Sequence, residues 1–332
     1  MPANLPPQYY AAKKRFELSK DIDEKIEILT EMLAIMPKHK GTDKLRADVR
    51  SRLASLRKEA QRRPSKRKHY AGYHIERQGA AQIALVGSPN VGKSRIVASL
   101  TNAEVQVAPY PFTTVKPVVG MMPYEDINIQ LIDTPPISDD FLDPFLPDLL
   151  RRVDLILLAT DIGDDDALDQ IEFVVAKLAA SGIKLVAEEV EDGDEYICKK
   201  TIIVANKEDL EGSRERLDIL KELYSHRFPI IPISAETGNG LDFLKKQIYD
   251  ALCIIRVYTK AVGRKADLTD PIILRRGSTV IDAAAEIHRD FFENLKFAKI
   301  WGGERNKYDG LRVTRDHLLE DGNIIEFHIT EG

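Results

Sequence analysis

At 332 residues the chain is long enough for two or three domains, and 43% hydrophobic with 30% charged residues is the balance of a globular protein able to bury a core. No apolar run is long enough for a spanning helix, and the N-terminal stretch lacks the apolar centre of a signal peptide, so a membrane role is not expected and a cytoplasmic one is. The net charge of −5 conceals an asymmetry: between Lys38 and His69 stand thirteen Lys or Arg and three acids, while residues 161–166 and 188–195 carry compensating negative charge.

The basic arm on an acidic body points to a polyanionic partner, RNA above all. Cys198 and Cys253 lie far apart in apolar segments, the pattern of buried thiols in a reducing compartment.

In chain order, residues 1–75 read as a basic helical region. Ile22, Ile26, Ile28, Leu29, Met32, Leu33 and Ile35 form a stripe near helical period that Pro37 closes, and Leu45, Val49, Leu53 and Leu56 continue it after Gly41. This predicts a helical hairpin, followed by a linker at residues 64–68. Residues 76–252 alternate between strand and helix. Strand candidates are 80–86, 127–132, 155–159, 201–205 and 230–233, with helical patterns at 93–100, 167–180 and 213–223. That alternation predicts an α/β fold with a mostly parallel sheet covered on both faces. Residues 253–332 change character: strand-like 254–259, 271–276, 297–301 and 324–329 surround a predicted helix over 280–292, which Thr279 and Asp282 cap.

Gly87-Ser88-Pro89-Asn90-Val91-Gly92-Lys93-Ser94 falls between the first strand and the first helix of the middle region, the setting a phosphate-binding loop requires. Its glycines let backbone N–H groups turn inward around a phosphate at a helix N-terminus. Lys93 would place its charge on the β- and γ-phosphates, and Ser94 offers a hydroxyl to Mg²⁺; Arg95 is grouped with the loop's nucleotide contacts. Asp133, closing its strand, is the natural carboxylate for a magnesium-bound water. Between them, Thr113 and Thr114 are both candidates to complete the Mg²⁺ shell when the γ-phosphate is present.

Asn206-Lys207-Glu208-Asp209 follows the strand at 201–205. Asp209 can accept both the N1–H and the exocyclic amine of guanine, a pair adenine cannot offer, and a carboxylate left unpaired by the wrong base costs several kcal/mol. Asn206 and Lys207 would brace the neighbouring loops and cover the base. Ser234-Ala235 would meet the base oxygen through a backbone N–H. These residues together imply GTP or GDP as the ligand. The seven histidines show no metal-ligand spacing.

With these motifs assembled, the chain resembles the Obg and DRG (developmentally regulated GTP-binding protein) GTPases. The likeness rests on residues 87–94, on Tyr110-Pro111-Phe112-Thr113-Thr114, on residues 206–209 and on Ser234-Ala235-Glu236. The tail is similar to a TGS domain in Ile255-Arg256-Val257-Tyr258-Thr259-Lys260, Trp301-Gly302 and Leu319-Glu320-Asp321. The resemblance implies a P-loop, Ras-like G domain between an N-terminal helical hairpin and a C-terminal β-grasp (TGS) domain. It implies Thr114 as the switch threonine, with Lys93 as its catalytic partner, K⁺ beside Asn90, and ribosome or RNA association through the basic helices and the TGS domain. Nothing in the sequence specifies a self-complementary surface that would set an oligomeric state.

Three departures stand out. Where the family has Asp-x-x-Gly, this chain has Asp133-Thr134-Pro135-Pro136, and Pro136 has no N–H to give a γ-phosphate. Ile137 stands where Ras-like enzymes place a water-orienting glutamine, which is normal for this group. The interval from Asp133 to Asn206 is too short for the extra domain of DRG proteins. The expectation is a slow, Mg²⁺-dependent, K⁺-stimulated GTPase acting as a switch. Two alternatives stay open: a GTP-binding scaffold silenced by Pro136, and an RNA-binding adaptor with a vestigial nucleotide site.

Overall fold

The computed structural model describes residues 15–16, 25, 28–29, 31–32, 35–36, 49–53, 75–101, 106–107, 118–138, 142–193, 196–302 and 307–329. Thr113, Thr114 and the linker at 64–68 lie outside them. The chain forms two units, residues 1–72 and 73–332. In the first, the described residues are helical apart from Met36, and Ile28, Leu29, Met32, Met36, Val49 and Leu53 form one buried cluster. Apolar residues from both predicted helices therefore share a core, as the stripe requires.

The second unit contains two sheets. The larger has eight strands: β1 (Gln82–Val86), β2 (Gln106–Val107), β3 (Val118–Tyr124), β4 (Ile127–Asp133), β5 (Leu155–Asp161), β6 (Ile183–Val186), β7 (Ile197–Asn206) and β8 (Ile230–Pro232). Their order is β2-β3-β4-β1-β5-β7-β6, with β8 on the upper half of β7. β2, β3 and β4 pair antiparallel, and every other pairing is parallel. All residues of β1 and β5 are buried, as strands covered on both faces must be. Alternation then divides them between two cores. Ala84, Val86, Ile156 and Leu158 face helices α2 (Leu146–Leu150), α3 (Ala167–Ala180) and α4 (Ser213–Tyr224). Ile83, Leu85, Leu155 and Leu157 face α1 (Lys93–Leu100) and α5 (Leu241–Leu252).

The smaller sheet comprises β9 (Ile254–Thr259), β10 (Asp267–Arg275), β11 (Leu295–Gly302), β12 (Tyr308–Val313) and β13 (Asn323–Ile329), in the order β10-β9-β13-β11-β12. Only β9 and β13 pair in parallel. Helix α6 (Val280–Ile287) covers it with Val280, Ala283 and Ala284, and Thr279 and Asp282 form the expected capping box. This is the β-grasp arrangement. The helix expected over 280–292 is in fact two: His288 is extended (φ −168°), and its ring nitrogen accepts from the Asp290 N–H to start α7 (Arg289–Asn294).

The sheets are joined by a seam. Arg256 on β9 bonds Asp321 at 2.7 Å, Asp126 at 2.7 Å and Glu125, the last two forming the turn between β3 and β4. Tyr258 donates to Asp126, Tyr249 donates to Asp321 at 3.0 Å, and Tyr124 stacks on Tyr249 with ring centroids 4.8 Å apart. The motif residues of the tail thus have structural work: Lys260 pairs with Glu326 and lies 4.2 Å from the Trp301 ring centre.

A second expectation fails. Cys198 is half-buried and Cys253 exposed, both as free thiols. Cys253 terminates α5 in a left-handed conformation (φ 50°), which holds its side chain at the surface.

Candidate functional site

The candidate site lies at the C-terminal ends of the parallel strands, where open α/β sheets bind ligands. β1 runs directly into the loop at residues 87–92, and α1 begins at Lys93. Gly92 is left-handed (φ 90°), and a Cβ there would come within 2.5 Å of Asn206 Nδ2, so only glycine fits. Asn90 is also left-handed (φ 64°), a conformation asparagine tolerates better than most residues.

Lys93 is 7% exposed and folds back over the loop, donating to the carbonyls of Gly87 (3.1 Å) and Ser88 (2.9 Å). Burial lowers its pKa to about 8, against an opposing pull from Asp133. Burial likewise raises the Asp133 carboxyl above its ordinary range, although the Ser94 hydroxyl and Lys93 act the other way. Ser94 donates to Asp133 Oδ2, while Asp133 Oδ1 is buried without a hydrogen-bond partner. A half-desolvated ammonium, a hydroxyl and a carboxylate with a vacant oxygen therefore converge on one cavity of about 380 Å³, lined by residues of the phosphate loop and by residues 133–136. Two adjacent hard oxygens, one of them unsatisfied, suit Mg²⁺. Among the described residues no cluster of three or more His, Cys, Asp or Glu offers an alternative metal site.

The segment after Asp133 is pinned. Thr134 donates its hydroxyl to Leu85 O, and the Ile137 N–H donates to Gly87 O at 3.1 Å. Ile137 itself is fully buried in the core on the α3 side of the sheet, so it does not enter the cavity. Pro136 does line it, presenting a ring where a glycine would present an N–H.

At the other end of the site, Asn206 is 2% exposed and ties two loops together. Its Nδ2 donates to Val91 O at 2.9 Å, and its Oδ1 accepts from the Ala235 N–H at 3.0 Å. The N–H expected for a base oxygen is thus engaged by Asn206, so a bound base would share it. Lys207 is left-handed (φ 69°), and its ammonium bonds Asp161 at the end of β5. Asp209 is exposed, open to a base. Ser234 is buried, and its hydroxyl accepts from the Thr237 N–H at 3.1 Å to hold the turn that presents Ala235. Arg95 lines the cavity and also reaches the same turn, bonding Ala235 O at 3.4 Å and Glu236 at 3.1 Å.

Two supporting residues escape the motif reading. Asp161 anchors Lys207 and accepts from the Gly163 N–H at 2.9 Å. Ser99 donates to Ala235 O at 2.9 Å, one helical turn beyond Arg95. Asp161 carries a signal, since it follows an apolar strand in the way Asp133 does; Ser99 carries none.

Comparison with known proteins agrees with this geometry. Residues 82–207 match the family described as 50S ribosome-binding GTPase, and residues 255–329 match the TGS domain. An uncharacterised GTP-binding protein of Methanocaldococcus jannaschii is 32% identical, the alignment covering 92% of this chain and 92% of that protein. The chain belongs to the DRG/Obg-type GTPases that carry a TGS domain. The developmentally-regulated GTP-binding protein 2 homolog of Dictyostelium discoideum is 27% identical (91% of this chain, 98% of the relative). Ribosome-interacting GTPase 1 of Saccharomyces cerevisiae is 26% identical (91% and 97%). The alignment with the archaeal relative runs over 364 positions, more than the 332 residues present, so that relative carries segments this GTPase lacks. The solved YchF GTPase of Schizosaccharomyces pombe, 15% identical, shares the fold with a TM-score of 0.53 over 76% of this chain and 99% of that one.

Proposed function

We propose that this GTPase binds GTP with its phosphates on residues 87–94 and its guanine between Lys207, Asp209 and Ala235, and that it cycles between GTP and GDP states as a switch in a ribosome- or RNA-associated process. The observation that carries the reading is the convergence of Lys93, Ser94 and Asp133, with one orphaned carboxylate oxygen, on one cavity walled by the phosphate loop and residues 133–136. A nucleotide phosphate would take over the bonds that Lys93 now gives to carbonyls, and Asp209 would select guanine by its two donors.

Mg²⁺ would be held by the Ser94 hydroxyl, by Asp133 through water and by Thr114, and when bound it neutralises charge developing on the γ-phosphate. Lys93 orients the β- and γ-phosphates, the loop N–H groups cradle them, and residues 134–136 close the cavity on one side. With Ile137 turned into the core, water must be oriented by something other than a side chain at that position. K⁺ beside Asn90 would add positive charge in place of an arginine.

The division into residues 1–75, 76–252 and 253–332 belongs to the same proposal, as does a cytoplasmic location; no helix among the described residues is long and apolar enough to cross a membrane. Family membership and the convergence of Lys93, Ser94 and Asp133 disfavour both the scaffold and the adaptor alternatives. The relative named a ribosome-interacting GTPase supports the ribosomal setting. GTP turnover measured with and without ribosomes, in KCl and in NaCl, tests all parts at once. Turnover that rises with ribosomes and is higher in KCl is expected. Equal rates in the two salts remove the potassium element, and no phosphate release under any condition overturns hydrolysis.

A further inference from the structure

A second cavity, of about 450 Å³, opens at the opposite end of the parallel strands, along the seam between the two sheets. It is bounded by the residues that precede β1 and β5, by the first half of β7 and by β10 of the smaller sheet. With β5 seven residues long, roughly 20 Å of strand separates it from the nucleotide cavity. The two do not share a residue.

Its charge is unlike that of the chain around it. Five basic and two acidic side chains line it, a balance of +3 (5 − 2) in a chain whose total is −5. The two acids are already committed: Asp154 pairs with Arg77 at 2.7 Å and Glu189 with Arg275 at 3.1 Å. Arg152 adds a third guanidinium. The two lysines are held by neutral atoms, Lys199 donating to Val153 O at 2.9 Å and Lys200 to the Cys253 thiol at 3.7 Å. Burial lowers the Lys199 pKa against the pull of Asp154, Asp192 and Glu189. Ammonium groups kept partly desolvated and held only by neutral atoms, with guanidinium forks beside them, match a small, multiply charged oxyanion.

We propose that this seam cavity binds a phosphate group, either a phosphodiester of an RNA strand or a free phosphorylated small molecule. The RNA source would deepen the ribosome-associated reading and rests on it; the phosphate chemistry does not. Because one wall comes from the G domain and the other from β10, such a ligand would bridge the two sheets.

The test uses the full chain saturated with GDP and Mg²⁺, so that the phosphate loop is filled. It is titrated with a short single-stranded RNA and, separately, with inorganic pyrophosphate. The double variant K199Q/K200Q is expected to weaken binding of at least one probe by roughly tenfold; for RNA, losing two phosphate contacts lowers the salt slope by about 1.4. The exposed Arg275→Gln should act in the same direction with less risk to the fold. Arg264→Gln, an exposed arginine outside the cavity, is the control of equal charge, and unchanged GDP affinity in every variant establishes an intact fold. Weakened RNA binding alone assigns the site to a polymer, and weakened pyrophosphate binding alone to a small molecule; either supports the proposal. It is overturned if neither probe binds, if the cavity variants bind as the natural chain does, or if Arg264→Gln weakens binding equally. Polyglutamate binding as tightly as RNA, with the same loss in the variants, overturns it in favour of an acidic peptide. GTP turnover, measured in parallel, separates these outcomes from any failure of the GTPase reading.

Discussion

The two ends of the nucleotide site are built on opposite principles. At the base end, polar groups are already satisfied by one another: Asn206 joins Val91 to Ala235, Asp161 holds Lys207, and Ser234 holds its own turn. At the phosphate end, groups wait. Lys93 leans on two carbonyls, Asp133 has an oxygen with no partner, and burial pushes both away from their charged forms. Specificity is thus preorganised into the protein, while affinity is stored as incomplete solvation that a ligand completes.

The comparison breaks most visibly at Lys93. Lys93→Ala removes charge-assisted bonds to two phosphates, each worth about 1.5–3 kcal/mol, so GTP affinity measured by calorimetry should fall by roughly a thousandfold. Urea unfolding of the nucleotide-free protein should change by less than about 1 kcal/mol, because the desolvation cost disappears with the ammonium. A large stability loss would mean that the phosphate end is as preassembled as the base end.

Asn206→Ala should show the reverse. It strands the buried Val91 carbonyl and the Ala235 N–H, at a cost of roughly 2–4 kcal/mol in the nucleotide-free state. An unfolding midpoint equal to that of the natural chain would refute the bracing role.

Pro136→Gly sharpens the contrast within the phosphate end. Restoring a backbone donor to the cavity wall should raise single-turnover GTP hydrolysis by about tenfold, a modest share of what one preorganised donor can contribute. An unchanged rate would clear proline of blame.

The smallest effect belongs to the seam. Burial pushes the Asp126 carboxyl up, but the Tyr258 hydroxyl and Arg256 outweigh it and leave its pKa below the ordinary value. Such a group adds stability above the unfolded-state pKa near 4, and that contribution disappears as pH falls through the folded-state value. Asp126→Asn should therefore be less stable than the natural chain at pH 7, by under about 1 kcal/mol, with the gap closing as pH falls through the lowered folded-state pKa. A gap independent of pH would show that the carboxylate charge is not what matters.

Much of this was legible because short spacings carry strong physics. The loop at 87–94 needs glycines and a lysine in fixed order, and the run at 206–209 needs a strand before it; both fall where strands β1 and β7 end. The capping box of α6 was written in two residues. Other elements hide for identifiable reasons. Strand β3 contains Gly120 and Pro123, which break a strand pattern, and survives by pairing with β4 along its full length. Helix α5 bears Leu241, Leu244 and Ile248 at helical spacing, a signal that reading by strand ends passes over. The break at His288 depends on a side-chain bond to Asp290 that no periodicity reveals. The basic seam cavity was invisible, because Arg77, Lys199 and Arg275 are far apart in sequence and only the packing of two sheets brings them together.

The hairpin of β3 and β4 gives the seam a further meaning. One end of it finishes at Asp133 in the nucleotide cavity, and its turn, Glu125 and Asp126, is gripped by Arg256 of the TGS sheet. Seven paired residues per strand make it a stiff rod of roughly 20 Å with a different task at each tip. Thermodynamic reciprocity makes any exchange between the tips even: whatever factor a partner on the TGS sheet imposes on GTP affinity, GTP imposes on that partner.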